Sequence, residues 1–385
     1  MDSDRLDQIL IDGIERGAAP GAVSAALDTS GVRWIGAAGE TTLGTGEAMQ
    51  QDTVFALHSM TKSIVSVAVL RLVELGVLDL DEPASTWCPW LAETTVFASA
   101  GSVTDLRPPA SPITLRHLLT HTSGFAYAIW NAQLGEWMAA TDHPRSLLER
   151  RSLHVPLMFD PGTRWEYGIG IDWAGFVIEA ATGQTLGDHL HEAILDPLGM
   201  RDTTFHPDGA LRERLAGRHQ RLADGTLAVL EGDPPINGEF ETGGGGLYGT
   251  VPDFCRFLAL LLGEGNAHGV QLVSPERLRA LAFTNQIGEV RVQQLRSTDL
   301  ALSQHAEFFP GDPKGHSLVG QINLVPAHTG RSAGTLAWAG MANCYFWVDP
   351  AASLAGVYAS RMFPFADTGS LGLAHELETA VYAGG

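Results

Sequence analysis

Of the 24 basic residues in the chain only Lys62 and Lys314 are lysines, and Lys62 follows a serine by three positions at the head of an apolar run. The stretch reads His58-Ser59-Met60-Thr61-Lys62-Ser63, continues apolar from Ile64 to Leu75 and stops at Gly76. An apolar segment of this length with glycine just past its end predicts a helix enclosed by protein. On such a helix Ser59 and Lys62 share one face, where the lysine can take the serine's proton or stabilise its alkoxide. A serine hydroxyl alone is a poor nucleophile, so the pair is the chemistry to be weighed. The plainer alternative is an ordinary helix start, with Ser59 near the N-cap and Lys62 in water.

Two other patterns carry less. His117 and His121 are four residues apart, the spacing of a two-histidine metal face, but Leu118 stands where H-E-x-x-H has its glutamate. Hydrogen-bonded structural histidines fit better than a metal, and no metal site is expected. The run Gly243-Gly244-Gly245-Gly246-Leu247-Tyr248-Gly249 formally contains G-x-G-x-x-G. No strand-loop-helix unit of the right length precedes it, so close backbone approach explains the glycines better than a dinucleotide does. Gly315-His316-Ser317-Leu318-Val319 lacks the last glycine of a nucleophile elbow.

The elements that must position these residues follow from periodicity. Apolar positions at Leu6, Ile9, Leu10 and Ile14 predict a first helix ending near Gly17. Ala22 to Leu27 and Val32 to Ala38 read as a hairpin turning at Thr29-Ser30-Gly31. A helix is expected from Thr114 as N-cap to Gly124, another from Asp172 to about Thr182, and another from Phe254 to Leu262 behind Thr250. Residues 201 to 240 read as a long connection. Ser317 to Val325, Thr335 to Trp338, Cys344 to Val348 and Leu354 to Ser360 are strand-like, and a last helix runs from about Gly372 to Ala383. The fold class is α/β (α+β): an antiparallel sheet built from both chain ends and flanked by helices, with a mainly helical inserted domain. The boundaries are 1–78 with the nucleophile helix, 79–244 for the insertion, and 245–385 with the remaining strands and the final helix.

Composition bounds the function. The 385 residues carry a formal charge of −20, with 45% hydrophobic and 18% charged residues and no basic cluster, which disfavours nucleic acid and anionic membranes as partners. The acidic start Met1-Asp2-Ser3-Asp4 is unlike a secretory signal, and a cytoplasmic location is expected. Cys88, Cys255 and Cys344 are odd in number and far apart, which argues against a disulfide framework or a thiolate zinc site. No run is long and apolar enough to span a membrane.

Taken in order, Phe55 to Lys62, Leu118-Leu119-Thr120-His121-Thr122-Ser123-Gly124, Pro161-Gly162-Thr163, Gly245-Gly246-Leu247-Tyr248 and Ala333 to Gly340 resemble the landmarks of the serine β-lactamase and penicillin-binding-protein superfamily. The resemblance covers roughly Asp52 to Ser360 and is strongest to the carboxylesterases related to class C β-lactamases (family VIII esterases). It implies Ser59 as nucleophile, Lys62 as its partner and Tyr167 as second general base, in the place of the family's Y-x-N tyrosine. It also implies an oxyanion hole from the backbone N–H groups of Ser59 and Met341. A phenol titrates near ~10, so Tyr167 must lie beside a cation to act as a base, and Lys62 is the candidate.

Two departures from the lactamase pattern bear on substrate. Ile169 replaces the Y-x-N asparagine, and Trp338-Ala339-Gly340 replaces K-T-G and its cation, as is common in the esterase branch. Each lost interaction is worth about 1–3 kcal/mol, which disfavours β-lactams. Tyr127, Ile169, Trp338, Ala339 and Gly340 are the expected substrate-binding positions. The resemblance thus implies a serine carboxylesterase acting on a small-molecule ester without cofactor. The alternatives are an acyltransferase, an amidase or peptidase, a β-lactamase, and a catalytically silent binding protein on the same fold.

Overall fold

The computed structural model describes residues 1–233, 238–267 and 269–384. Its centre is an antiparallel sheet of seven strands, in the spatial order Lys314–His316, Gln321–Asn323, Leu336–Gly340, Cys344–Asp349, Leu354–Ala359, Gly21–Asp28 and Gly31–Gly39. The two N-terminal strands dock on the last C-terminal one, Val23 opposite Ala359 and Asp28 opposite Leu354. Both ends of the chain therefore build one sheet, as the alternating patterns predict. Five C-terminal strands contribute rather than about three: Lys314–His316, ahead of the stretch expected as a strand from Ser317 to Val325, adds one, and within that stretch only Gln321–Asn323 is strand. Ser317 Oγ accepts from the N–H groups of Val319 and Gly320, and that tight turn takes the first residues of the expected strand and joins the two.

Side-chain direction alternates along each strand, so the sheet has two different faces. Cross-strand pairing puts Ala337 and Ala339 on the face of Trp347 and Tyr345. That face meets the last helix, Thr368–Ala383, through Tyr358 bonded to Ser370 and Trp347 stacked on Tyr382. Trp338 and Phe346 point the other way, and Phe346 packs on Phe254 of the helix Val251–Leu262.

The nucleophile segment is a short 3₁₀ turn, His58–Met60, running into the α-helix Thr61–Glu74, whose residues from Thr61 to Leu70 are all buried. Thr114 caps its helix as expected, but the helix ends at Leu119 rather than Gly124. Left-handed backbone at His121 and Gly124 breaks the helix and turns the chain toward Ser59. The expected connection from 201 to 240 holds a hairpin, Arg218–Arg221 with Leu227–Leu230, which pairs with Met362–Phe363. The three cysteines are free and buried, each thiol pushed up to about 12 by burial.

Candidate active site

Ser59 stands at the junction of three elements. Its own turn is held by Leu57, whose N–H donates to the Leu247 carbonyl at 2.9 Å, and His58 before it adopts φ +45°. A non-glycine residue in that conformation is strained, as is common beside reacting groups. Thr61 Oγ1 accepts from Leu247 N–H at 3.2 Å, locking the glycine-rich loop onto the helix start. The strand Leu336–Gly340 closes the third side. Its pairing to Gln321–Asn323 ends at Ala337, so the stretch from Trp338 onward has one backbone edge free beside the Ser59 turn. A Cβ at Gly340 would lie 2.5 Å from the Leu57 carbonyl oxygen, so glycine is what permits the approach.

Lys62 is 1% exposed, and the residues around it account for its nitrogen. Nζ lies 3.2 Å from Ser59 Oγ and 3.1 Å from the Tyr127 hydroxyl, and it donates to the Gly244 carbonyl. Those are the three positions a tetrahedral nitrogen has beyond its own carbon. Asp172 completes the arrangement from within the helix Gly170–Thr182: Oδ1 accepts from Gly244 N–H at 2.8 Å, and Oδ2 accepts from the Tyr127 hydroxyl at 3.5 Å. A Cβ at Gly244 would collide with this carboxylate. Burial raises the Asp172 carboxyl, opposed chiefly by the charge of Lys62. Burial, then Asp172, pushes the Tyr127 phenol well above its ordinary range, which keeps it a neutral hydroxyl.

Tyr167 sits differently from Tyr127. Its ring lies across Lys62 Nζ at 4.9 Å, and its buried hydroxyl has no hydrogen-bond partner among the described residues. The ring packs against Tyr127, Trp130, His121 and Trp338 at 4.7 to 5.3 Å between centroids. His121, expected beside His117 on a helix face, instead joins His316 at 5.3 Å behind Tyr167. Burial holds His316 down at about 4 and His121 well below its ordinary value, so both rings are neutral. Among the described residues no cluster of three histidine, cysteine or carboxylate groups could hold a metal.

Two cavities open from Ser59. A small one, about 20 Å³, is bounded by Trp130, Tyr167, Leu295, Phe308, Ala339 and Phe365. The larger, about 220 Å³, runs past Tyr127, Ile129 and Leu147 into a groove of about 400 Å³ that also touches Ile169. Of the expected substrate-binding residues, Trp338 and Ala339 reach the small cavity, Tyr127 the large one and Ile169 only the groove, while Gly340 acts through its lack of a side chain. Met341 lines both cavities with Ser59. Sequence reasoning missed Asp172, Trp130, Leu295 and Phe308. Asp172 alone left a signal, as a carboxylate inside an apolar helix.

Comparison with known proteins places this geometry in a family. The chain is 35% identical over 367 residues to a lovastatin esterase of Penicillium rubens, covering 90% of each. It is 32% identical over 390 residues to a monacolin J acid methylbutanoyltransferase of Aspergillus terreus, covering 94% of this chain and 92% of the other. The solved structure of unliganded simvastatin synthase from Aspergillus terreus superposes with a TM-score of 0.82 at 28% identity, covering 99% of this chain and 98% of that one. These relatives include both an esterase and an acyltransferase, and the Beta-lactamase family model matches residues 6–380. With a serine, a buried lysine and the antiparallel sheet arranged as described, the chain belongs to the beta-lactamase family, as a β-lactamase-fold serine hydrolase or acyltransferase.

Proposed function

We propose that the protein is a serine carboxylesterase that works through an acyl-enzyme on Ser59. The observation that carries this reading is the buried Lys62 nitrogen 3.2 Å from Ser59 Oγ, with its other two positions taken by Gly244 and Tyr127. An amine so placed donates its two N–H groups to those oxygens and turns its lone pair to the Ser59 hydroxyl. Ser59 Oγ then bonds to the ester carbonyl carbon as its proton passes to Lys62, and the N–H groups of Ser59 and Met341 receive the oxyanion. Collapse breaks the bond to the alcohol oxygen, which takes the proton that Lys62 received from Ser59. Tyr167 lines the same cavity as Ser59, and its hydroxyl, without a hydrogen-bond partner among the described residues, is left to serve the departing alcohol as the second acid–base group. Water repeats the sequence on the acyl-enzyme and releases the acid. Tyr127, a neutral phenol held by Asp172, positions Lys62.

Substrate class follows from the cavities. The 20 Å³ cavity has room for one or two methylene-sized groups, which suits a short acyl chain. The larger cleft and its groove, lined by Tyr127, Ile129 and Leu147, suit a bulkier uncharged alcohol. The same open cleft favours a second reading, acyl transfer, in which an acceptor alcohol replaces water. The lovastatin esterase and the methylbutanoyltransferase lend support to each reading in turn.

The test is incubation with p-nitrophenyl acetate or butyrate and, separately, a chromogenic cephalosporin, followed by intact mass. Ester turnover with little cephalosporin cleavage, and an acyl adduct that Ser59→Ala lacks, is the expected result. Turnover that survives Ser59→Ala would refute the mechanism, and rapid cephalosporin cleavage would move the protein to the lactamases. Adding a bulky secondary alcohol separates hydrolysis from transfer by the fraction of product recovered as new ester.

A further inference from the structure

Beneath the last helix lies another cavity of about 40 Å³, between Thr368–Ala383 and the alanine face of the sheet. It shares Phe308 and Trp338 with the small cavity at Ser59. Ala339 lines the one and Ala337 the other, two positions apart on the same face of one strand. Alanine at both positions leaves the face of the strand between the two cavities free of large side chains. Phe308 stands across it, its ring edge-on to Tyr345 at 6.0 Å and to Phe365 at 6.1 Å.

Most of the polar groups lining the inner cavity are engaged with neighbouring groups, and Gln321 and the His375 ring, stacked on Phe309, line it as well. Arg331 donates to both Glu378 oxygens at 2.7 and 2.6 Å, and Thr329 donates to the same carboxylate. Tyr345 donates to Asn343 Oδ1 at 2.6 Å, Tyr358 bonds Ser370 at 3.1 Å, and Ser24 donates to the Val357 carbonyl at 2.9 Å. A ligand entering here would meet no free donor or charge from the engaged side chains. The space therefore suits the methyl end of an alkyl chain and would penalise a polar one.

We propose that Phe308 sets the acyl-chain length this protein accepts, by separating the short acyl cavity at Ser59 from an apolar extension under the C-terminal helix. The proposal rests on the ester-cleaving reading and names the part of the substrate that this side of the site takes. A chain longer than about four carbons must displace the Phe308 ring to follow the Ala339 and Ala337 floor inward.

The experiment measures kcat/KM for p-nitrophenyl acetate, butyrate, hexanoate and octanoate with wild type, Phe308→Ala, Phe308→Leu and the double variant Phe308→Ala/Ala374→Leu. Ala374 lines the inner cavity from the helix, so leucine there refills the extension. Wild type should fall away beyond butyrate. Phe308→Ala should raise octanoate relative to acetate by about tenfold or more, since a methylene in a hydrophobic pocket is worth roughly 10- to 200-fold. Phe308→Leu should show a smaller shift, and Ala374→Leu should cancel the gain on octanoate while leaving acetate unchanged. Equal factors at every chain length, or an octanoate gain that survives Ala374→Leu, would overturn the proposal. Loss of the ester-cleaving reading would look different: wild type would cleave none of the four esters and form no adduct on Ser59.

Discussion

Asp172 is a carboxylate shut inside an apolar helix, and its two oxygens hold the Gly244 N–H and the Tyr127 hydroxyl that both bear on Lys62. Asp172→Asn keeps the shape but exchanges one acceptor oxygen for a donor, so the contact to Gly244 or Tyr127 is lost. Removing a charged, buried hydrogen-bond acceptor costs about 1.5–3 kcal/mol, so kcat on a butyrate ester should fall roughly 10- to 100-fold with KM little changed. Tyr127→Phe should fall by a similar factor, and the double variant should be little worse than either single one. Additive losses would show that the two residues do not act through one lysine. Ser59 and Lys62 were legible because one helical turn joins them, and that geometry is local. Tyr127 and Asp172 were not paired in advance because they lie 45 residues apart in sequence. Only the packing of the 170–182 helix and of the irregular segment carrying Tyr127 around Lys62 brings their side chains together.

At the scale of elements, the strand Leu336–Gly340 reaches the Ser59 turn through a glycine whose hydrogen atoms face the Leu57 carbonyl. Gly340→Ala should push strand and turn apart and move the Met341 N–H away from the carbonyl oxygen of a bound ester. Loss of one oxyanion donor is worth about 10²–10³ in kcat, and that is the drop expected. Thermal denaturation should show a shift of only a few degrees, since the strand keeps its pairing to Cys344–Asp349. A variant with full activity would remove Met341 from the oxyanion hole. Element types were largely legible from periodicity and caps, such as Thr114 and Thr250 at their helix starts. Boundaries failed where backbone with positive φ or side-chain turns intervene. The helix from Thr114 is broken near His121, and a serine turn replaces the first residues of the strand expected from Ser317.

For the molecule as a whole, buried neutral histidines make stability depend on acid. His316 is 2% exposed and held down at about 4 by burial, whereas an unfolded chain titrates it near its ordinary value. Between those values the unfolded state binds the extra proton, so stability is full above about pH 6.5 and falls as pH drops toward 4. Urea denaturation should lose about 1.4 kcal/mol per pH unit from this group across that window, and His316→Gln should flatten the slope by that amount. Asp172 and Glu166, whose carboxyls burial raises, act in the opposite direction in the lower part of the window, so the difference between the two proteins is the quantity to read. An unchanged slope in His316→Gln would mean that the ring is protonated in the fold. On its own, the sequence determined the pairing of Ser59 with Lys62, most of the secondary elements and a sheet assembled from both chain ends. Each of these is set by spacing within a few residues or by the alternation of apolar side chains. Tertiary structure alone decided which tyrosine hydroxyl touches Lys62, that Asp172 stands behind it, and that Phe308 lines both the cavity at Ser59 and the one under the last helix. Those facts are contacts between segments far apart in the chain, made when apolar faces pack, and no local pattern encodes them.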